Sequence, residues 1–475
     1  MDHPTPLEAL GVSAFSRVAE ARQADGNAVR LLRDAGENYP AWLQAIAGAR
    51  QAVHLENYII AEDGVGDEFS EALCEAARRG VRCRVLYDWL GCRRKTSARF
   101  WATLRAAGVE VRCYNPPRLD TPLAWISRDH RKVLCVDGRV AFTGGLCIGR
   151  DWEGDVERNR SPWRDTGVEI RGPAVAHVEA AFADSWLSTG APLFGEDVPR
   201  PEDIAPAGAL SMWVIAGQPN SMGLYKLEQL IAEIVEHSLW LSDAYFVATT
   251  GYVRALSGAA RAGVDVRLLV PGSGDWPIVR TLSQAGYRPL LEAGVRVFEW
   301  NGPMMHAKTA VADGCWTRIG SSNSNFASWI SNRELDVTIK DQDFAKEMET
   351  LYVRDLENAT EIVLSSGRVR AAGSVGATTS RRTGRRRPAK AGRLVAGVVG
   401  LGSVVGATVT QHRAPGPAEA IVLSVGATSM LALAITAFLL PHVFAYLLGA
   451  GSAWIGVAIF LRAWKLRTGG PDHAG

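Results

Sequence analysis

The chain reads "RDHRKVLCVDGRVAFTGG" at residues 128–145 and "MHAKTAVADGCWTRIGSS" at residues 305–322. Each stretch carries a histidine, a lysine two positions on, and an aspartate five after that, followed by glycine. On an extended strand residues two apart share a face, so His130 points with Lys132 and His306 with Lys308, while Asp137 and Asp313 point away. An Asp-Gly pair between apolar runs is the strongest short hairpin signal, which gives Asp137 and Asp313 a mainly structural role at a turn. The histidine and lysine of each stretch are left to meet a ligand.

Further phrases recur in the same order. "EAARRGVRCRVLYD" (75–88) matches "GAARAGVDVRLLVP" (258–271), and "LRAAGVEVRCYNP" (104–116) matches "LLEAGVRVFEWNG" (290–302). Such collinear repetition marks an internal duplication. Each copy puts an Ala- and Arg-rich helical stretch, ended by Gly80 or Gly263, before a β-rich apolar run. "AVHLENYII" (52–60) and "LWLSDAYFV" (239–247) add a strand per half. The expected class is α/β: two duplicated α/β sandwich halves related by a pseudo-two-fold, each with a largely parallel or mixed sheet covered by helices. At 475 residues the chain exceeds the roughly 250 to 300 at which a single core stops growing. The boundaries read as an extension (1–26), a first half (27–200), a second half (201–365), a basic linker (366–393), a membrane segment (394–461) and a basic tail (462–475).

One His-Lys pair is a poor catalytic site. Two pairs brought face to face put two imidazoles around a point with two ammonium groups beside them, a cluster suited to a tetrahedral anion. A phosphodiester fits: one neutral histidine attacks phosphorus, the other protonates the leaving oxygen, and the lysines neutralise the non-bridging oxygens. The residues alone allow either histidine in either role. Each imidazole needs an orienting partner on its other nitrogen. Asp165 in "WRDTGVEIRGP" and Glu334 in "SNRELDV" lie downstream of the two motifs and are the candidates. Ser321 and Asn323 could donate further hydrogen bonds to phosphate, and the first half offers Gly145 and Cys147 instead.

The formal net charge of +2 is close to neutral, and outside the linker the body has no strongly basic stripe, which argues against a nucleic-acid partner. Seven cysteines without CxxC spacing suggest neither a disulfide framework nor a zinc site, and no metal or cofactor is expected. The amino terminus lacks an apolar run of signal-peptide length. Residues 420–461 contain no Asp, Glu, Lys or Arg, room for two spans at roughly 20 residues each, divided at Pro441 and His442. Residues 394–410 are uncharged and glycine-rich and offer a third span or an interfacial segment. The linker ahead of them holds Arg385, Arg386 and Arg387, which the positive-inside rule keeps on the cytoplasmic side, against anionic lipid. The reading is a membrane-attached protein with a cytoplasmic body.

His130, Lys132, Asp137, Gly144 and Gly145, and His306, Lys308, Asp313, Gly320, Ser321 and Asn323, resemble the phospholipase D superfamily signature HxKx4Dx6G(G/S)x(N/S). "HRKVLCVDGRVAFTGG", "WRDTGVEIRGPAVAHVEAAFADSW" and "HAKTAVADG" are most similar to bacterial cardiolipin synthases, over residues 27–355. The resemblance implies a metal-free double displacement through a phosphohistidine, with His130 as nucleophile and His306 as general acid. It implies phospholipid substrates, phosphatidylglycerol among them, whose phosphatidyl group passes to the hydroxyl of another phospholipid. The rival outcomes are a phospholipase D that releases phosphatidic acid and a phosphodiesterase acting on nucleic acid. One departure is plain: Cys147 stands where the first motif usually has Asn, and a thiol is the weaker donor.

Overall fold

The computed structural model describes residues 5–117, 127–155, 157–193, 195–274, 277–365 and 368–371, with scattered positions between 428 and 460. The first half contributes β1 (Gln23–Arg33), β2 (Ala52–Asn57), β3 (Arg82–Asp88), β4 (Glu110–Tyr114), β5 (Lys132–Val136), β6 (Val140–Gly144) and β7 (Thr166–Arg171). The second contributes β8 (Leu210–Gly217), β9 (Ser238–Ser242), β10 (Asp265–Pro271), β11 (Arg296–Trp300), β12 (Thr309–Ala312), β13 (Trp316–Gly320) and β14 (Glu334–Lys340), followed by β15 (Ala359–Ser365) and β16 (Arg368–Ala371). Outward from the central antiparallel β1–β8 contact, one side runs β1-β7-β6-β5-β2-β3-β4 and the other β8-β14-β13-β12-β9-β10-β11, the same order twice. The trio β2, β3 and β4 is parallel, as is β9, β10 and β11, and the other pairings are antiparallel, so the sheet is mixed.

The repeated phrases explain the repeated geometry. Helix Val65–Arg78 ends where the Gly80 N–H reaches the Ala77 carbonyl and the Val81 N–H the Ala76 carbonyl; helix Thr250–Arg261 ends with the same two bonds, from Gly263 to Ala260 and from Val264 to Ala259. Both glycines take the left-handed conformation this closure requires, at φ 89° and 100°. The chain then turns directly into β3 or β10.

The two Asp-Gly pairs form the tips of the β5–β6 and β12–β13 hairpins. Asp137 and Gly138, like Asp313 and Gly314, have positive φ at both central positions, the mark of a type I′ turn. Each aspartate then does a second job. Asp137 accepts the backbone N–H groups of Arg50, Gln51 and Ala52 at 2.7–3.2 Å, and Asp313 those of Glu236, His237 and Ser238 at 2.8–3.0 Å. The carboxylates thereby tie each catalytic hairpin to the start of its neighbouring strand, β2 or β9.

Each half has its own core on one face of its sheet, around Trp42, Phe69 and Phe142 in the first and Leu227, Tyr252 and Trp316 in the second. A third core is shared. There Val168 and Ile170 of β7, Val337 and Ile339 of β14, and the helices Ala174–Leu187 and Gln342–Leu356 pack together. Residues expected to form a separate extension also join the body: β1 starts at Gln23, and Phe15 of helix Val12–Ala19 stacks on Trp213 of the second half, ring centres 4.3 Å apart.

Residues 368–371, read from sequence as the start of the basic linker, instead form β16, paired antiparallel with β15 from Ile362–Ala371 to Ser365–Arg368. The remainder of the linker, the segment 394–461 and the tail 462–475 lie outside the described residues apart from the scattered positions. Among the described residues no helix is long and apolar enough to cross a membrane.

Replacing Asp137 or Asp313 with Ala strands three backbone donors and should cost about 2 kcal/mol of stability. Denaturant unfolding should show the lower midpoint, with turnover per folded molecule largely kept. A native midpoint with lost turnover would contradict this structural assignment.

Candidate active site

Two short backbone clasps join the halves next to the motifs. The His130 N–H donates to the Arg333 carbonyl at 2.9 Å and the Arg333 N–H to the Arg128 carbonyl at 2.8 Å; the His306 N–H donates to the Arg164 carbonyl at 2.7 Å and the Arg164 N–H to the Met304 carbonyl at 2.9 Å. In each clasp the stretch leading into one half's histidine runs beside the stretch leading into the other half's carboxylate. Ion pairs repeat the crossing: Arg164 holds Asp355 of the second half's last helix at 2.8 Å, and Arg333 holds Asp184 of the first half's helix Ala174–Leu187.

Position in sequence does not say which imidazole each carboxylate serves. The structure crosses them. His130 Nδ1 lies 2.9 Å from Glu334 Oε2, and His306 Nδ1 lies 2.6 Å from Asp165 Oδ2. With Nδ1 of each ring occupied by a carboxylate, Nε2 is the nitrogen left for chemistry. Lys132 and Lys308 each donate to the carbonyl of the histidine in their own motif. They also act across the site, since Lys308 lowers the proton affinity of His130 and Lys132 that of His306. The two motifs therefore share one electrostatic environment.

Burial pushes the His130 imidazole down to about 4, with Glu334 opposing the fall and Lys132 adding to it. Burial, then Lys308, pushes His306 down to about 3 against the pull of Asp165. Lys308 falls to about 8, through burial and the repulsion of Lys132, against Asp165. Burial works to raise the carboxyls of Asp165 and Glu334, but the facing imidazoles and nearby ammonium groups outweigh it and hold both below the usual range. These shifts favour neutral imidazoles facing charged carboxylates.

The ends of the motifs support these carboxylates. Gly145 has no room for a side chain because a Cβ would sit 2.1 Å from Asp165 Oδ1, and its N–H is bound to the Thr166 carbonyl at 3.1 Å. The Ser321 hydroxyl donates to Glu334 Oε2 at 2.6 Å and accepts the Leu335 N–H at 2.9 Å. Gly145 and Ser321, expected to meet phosphate, are thus turned toward the orienting carboxylates. Cys147 is buried, and both lysines act on its thiol, which burial raises. Asn323 at the matching position is also buried, with a carboxamide oxygen that has no hydrogen-bond partner among the described residues.

Four aromatic residues of the site went unread in the sequence. Trp152 donates to Asp165 Oδ2 at 2.9 Å, and the rings of Trp152 and Trp163 lie 5.3 and 5.6 Å from that of His306. Tyr58 packs edge-on to His130 at 4.9 Å with Lys132 over its ring, and Tyr245 stands in the same relation to His306 and Lys308 at 6.1 and 6.0 Å. Tyr58 and Tyr245 sit in the repeated phrases "AVHLENYII" and "LWLSDAYFV", which was their available signal. Arg164 and Arg333 had one too: each directly precedes its carboxylate.

A family model described as "Cardiolipin synthase, PLD-like domain" matches residues 42–186 and 230–356, one motif in each segment. The chain belongs to this family. A cardiolipin synthase of Alkalihalophilus pseudofirmus is 33% identical over 340 residues, covering 71% of this chain and 67% of that one. One of Geobacillus kaustophilus is 33% identical over 364 residues, covering 76% and 71%. The crystal structure of a phosphatidylserine synthase from Haemophilus influenzae Rd KW20 shares the fold, with a TM-score of 0.56 and 14% identity over 70% of this chain and 87% of that one. The resemblance read from the two motifs and the family match agree.

Because each carboxylate raises the proton affinity of the imidazole it faces, Glu334→Gln should push His130 below about 4 and leave His306 unmoved. Asp165→Asn should push His306 below about 3 and leave His130 unmoved. Nitrogen NMR of labelled histidines reads both titrations. A shift in the histidine of the same half would overturn the crossed pairing.

Proposed function

We propose that this phosphatidyltransferase of the cardiolipin synthase type moves the phosphatidyl group of phosphatidylglycerol onto the hydroxyl of a second phospholipid, through a phosphohistidine on His130. The observation that carries this reading is the crossed pair of imidazoles, each turned by a carboxylate of the opposite half so that Nε2 is left for the reaction. His130 Nε2 attacks phosphorus, the bond to the leaving alcohol breaks, and His306 gives that oxygen its proton. His306 then takes a proton from the incoming hydroxyl, whose oxygen displaces His130 and restores it. Lys132 and Lys308 stabilise the charge on the non-bridging oxygens throughout.

An anionic diester between the lysines also accounts for how imidazoles of such low proton affinity can take up a proton. Its negative charge offsets the ammonium repulsion, so that His306 can become the acid when substrate is present. The hydrophobic run at residues 394–461 is read as two or three helices anchoring the body at the inner face of a bacterial cell membrane, next to its substrate.

His130→Ala should abolish both transfer and the covalent intermediate, and His306→Ala should reduce transfer by roughly two to four powers of ten. Mass spectrometry of products from phosphatidylglycerol alone, then with phosphatidylethanolamine, gives the readout. Phosphatidic acid as the main product would make the chain a hydrolase instead. Full turnover by either variant would end the two-histidine mechanism. Removal of residues 394–475 should release the body from vesicles and spare activity on detergent-dispersed lipid, which sedimentation and the same product assay measure together.

A further inference from the structure

A second set of titratable groups lies behind the catalytic strand. Asp129 and Arg131 alternate with His130 and Lys132 and so face the opposite way. There Asp129 meets Glu56 of β2. The two carboxyl groups are 1% and 0% exposed and lie against each other; the Ser185 hydroxyl acts on Glu56, and among the described residues neither group holds another hydrogen-bond donor. Arg131 lies beside them, but its N–H groups go to the carbonyls of Glu334, Ala181 and Gly217 and to the Ser185 hydroxyl. Two buried carboxylates in contact with so few donors repel and lose their hydration together, whereas a single proton between them turns the contact into an O–H···O bond.

Other charged or titratable groups around the pair include Arg333 with Asp184, Asp88 with Arg128, the Cys135 thiol, and, two residues before Glu56 on β2, His54 with Glu179. Asp88 accepts the Asp129 N–H at 3.0 Å, and the next residue, His130, enters the clasp with Arg333. Movement of Asp129 therefore reaches the reacting imidazole through one peptide unit.

We propose that Glu56 and Asp129 share one proton, that the proton-sharing pair positions His130 from behind β5, and that loss of this proton sets the alkaline limit of phosphatidyl transfer. Both act as positioning residues, since neither touches substrate. Ionisation of the second carboxyl places two like charges in contact, drives Asp129 from its seat and turns His130 away from Glu334. The inference rests on the reading of His130 as a reacting group.

Glu56→Gln separates these roles, because its amide keeps a donor toward Asp129 without an ionisable proton. Turnover of this variant near neutral pH should stay within about threefold of the parent, since the hydrogen bond is kept, with KM unchanged and the alkaline limb of kcat moved up by about one pH unit or more. Glu56→Ala should lower kcat at every pH. Two readouts need no turnover. The infrared difference between parent and Glu56→Gln at pH 7 should contain the carbonyl band of a protonated carboxyl. The folded pair keeps a proton that unfolded carboxyls release above about pH 4, so the parent's melting temperature should decline as pH rises from there, and Glu56→Gln should flatten that decline. Superimposable pH–rate profiles, or no carboxyl band, would overturn the proposal. A parent enzyme inactive on every phospholipid, with the band present, would instead overturn the transfer reading.

Discussion

The site depends on two hydrogen bonds that cross between halves, His130 to Glu334 and His306 to Asp165. A half on its own keeps its hairpin, its lysine and its histidine, but the imidazole has no acceptor on Nδ1 and so no preferred tautomer or orientation. The central β1–β8 contact, the shared core beneath it and the paired clasps at Arg164 and Arg333 bring each acceptor into reach. The Arg164–Asp355 pair is buried on both sides, and each member has a second partner, Asp34 for Arg164 at 3.2 Å and Arg33 for Asp355 at 3.8 Å, so the clasp is held by a network and not by one pair. The contacts that fasten the halves are adjacent in sequence to the two histidines and the two carboxylates, so docking of the halves and assembly of the site are not separable properties here.

Charge balance follows from the same crossing. Burial and the neighbouring lysines hold both imidazoles at low proton affinity against the pull of the two carboxylates. A diester adds one negative charge, and one proton on an imidazole restores neutrality. On the proposed reading, substrate binding and protonation of the acid are coupled through electrostatics.

Much of the architecture was legible because duplication prints each element twice. A single Ala-Arg-Gly-Val phrase is unremarkable, but two in register, each closing a helix and opening a strand, locate both parallel trios. The Asp-Gly pairs likewise showed their turns through local backbone preference, which needs no tertiary information. The crossed assignment of Asp165 and Glu334 was not legible, since it is a property of how halves face each other. The destinations of Gly145 and Ser321 were hidden for the same reason: their motif positions suggest a ligand, and only the fold reveals the carboxylate in the way. Glu56 and Asp129 look like ordinary surface acids in one dimension, and their burial appears only when β2 is laid beside the stretch leading into β5.

The two motifs end differently, and the difference has a physical reading. In the first half the shorter Asp165 sits against Gly145, where even a methyl group would collide with it. In the second half the longer Glu334 meets the Ser321 hydroxyl, which donates to it. Trp152 gives Asp165 the side-chain donor that the glycine cannot, at 2.9 Å from Oδ2. Among its hydrogen bonds each carboxylate therefore has one to the opposite histidine and one to a fixed side chain of its own half, although carboxylate, donor and motif residue all differ. What the duplication has retained is this hydrogen-bond pattern around each imidazole, and the residues that supply it have diverged.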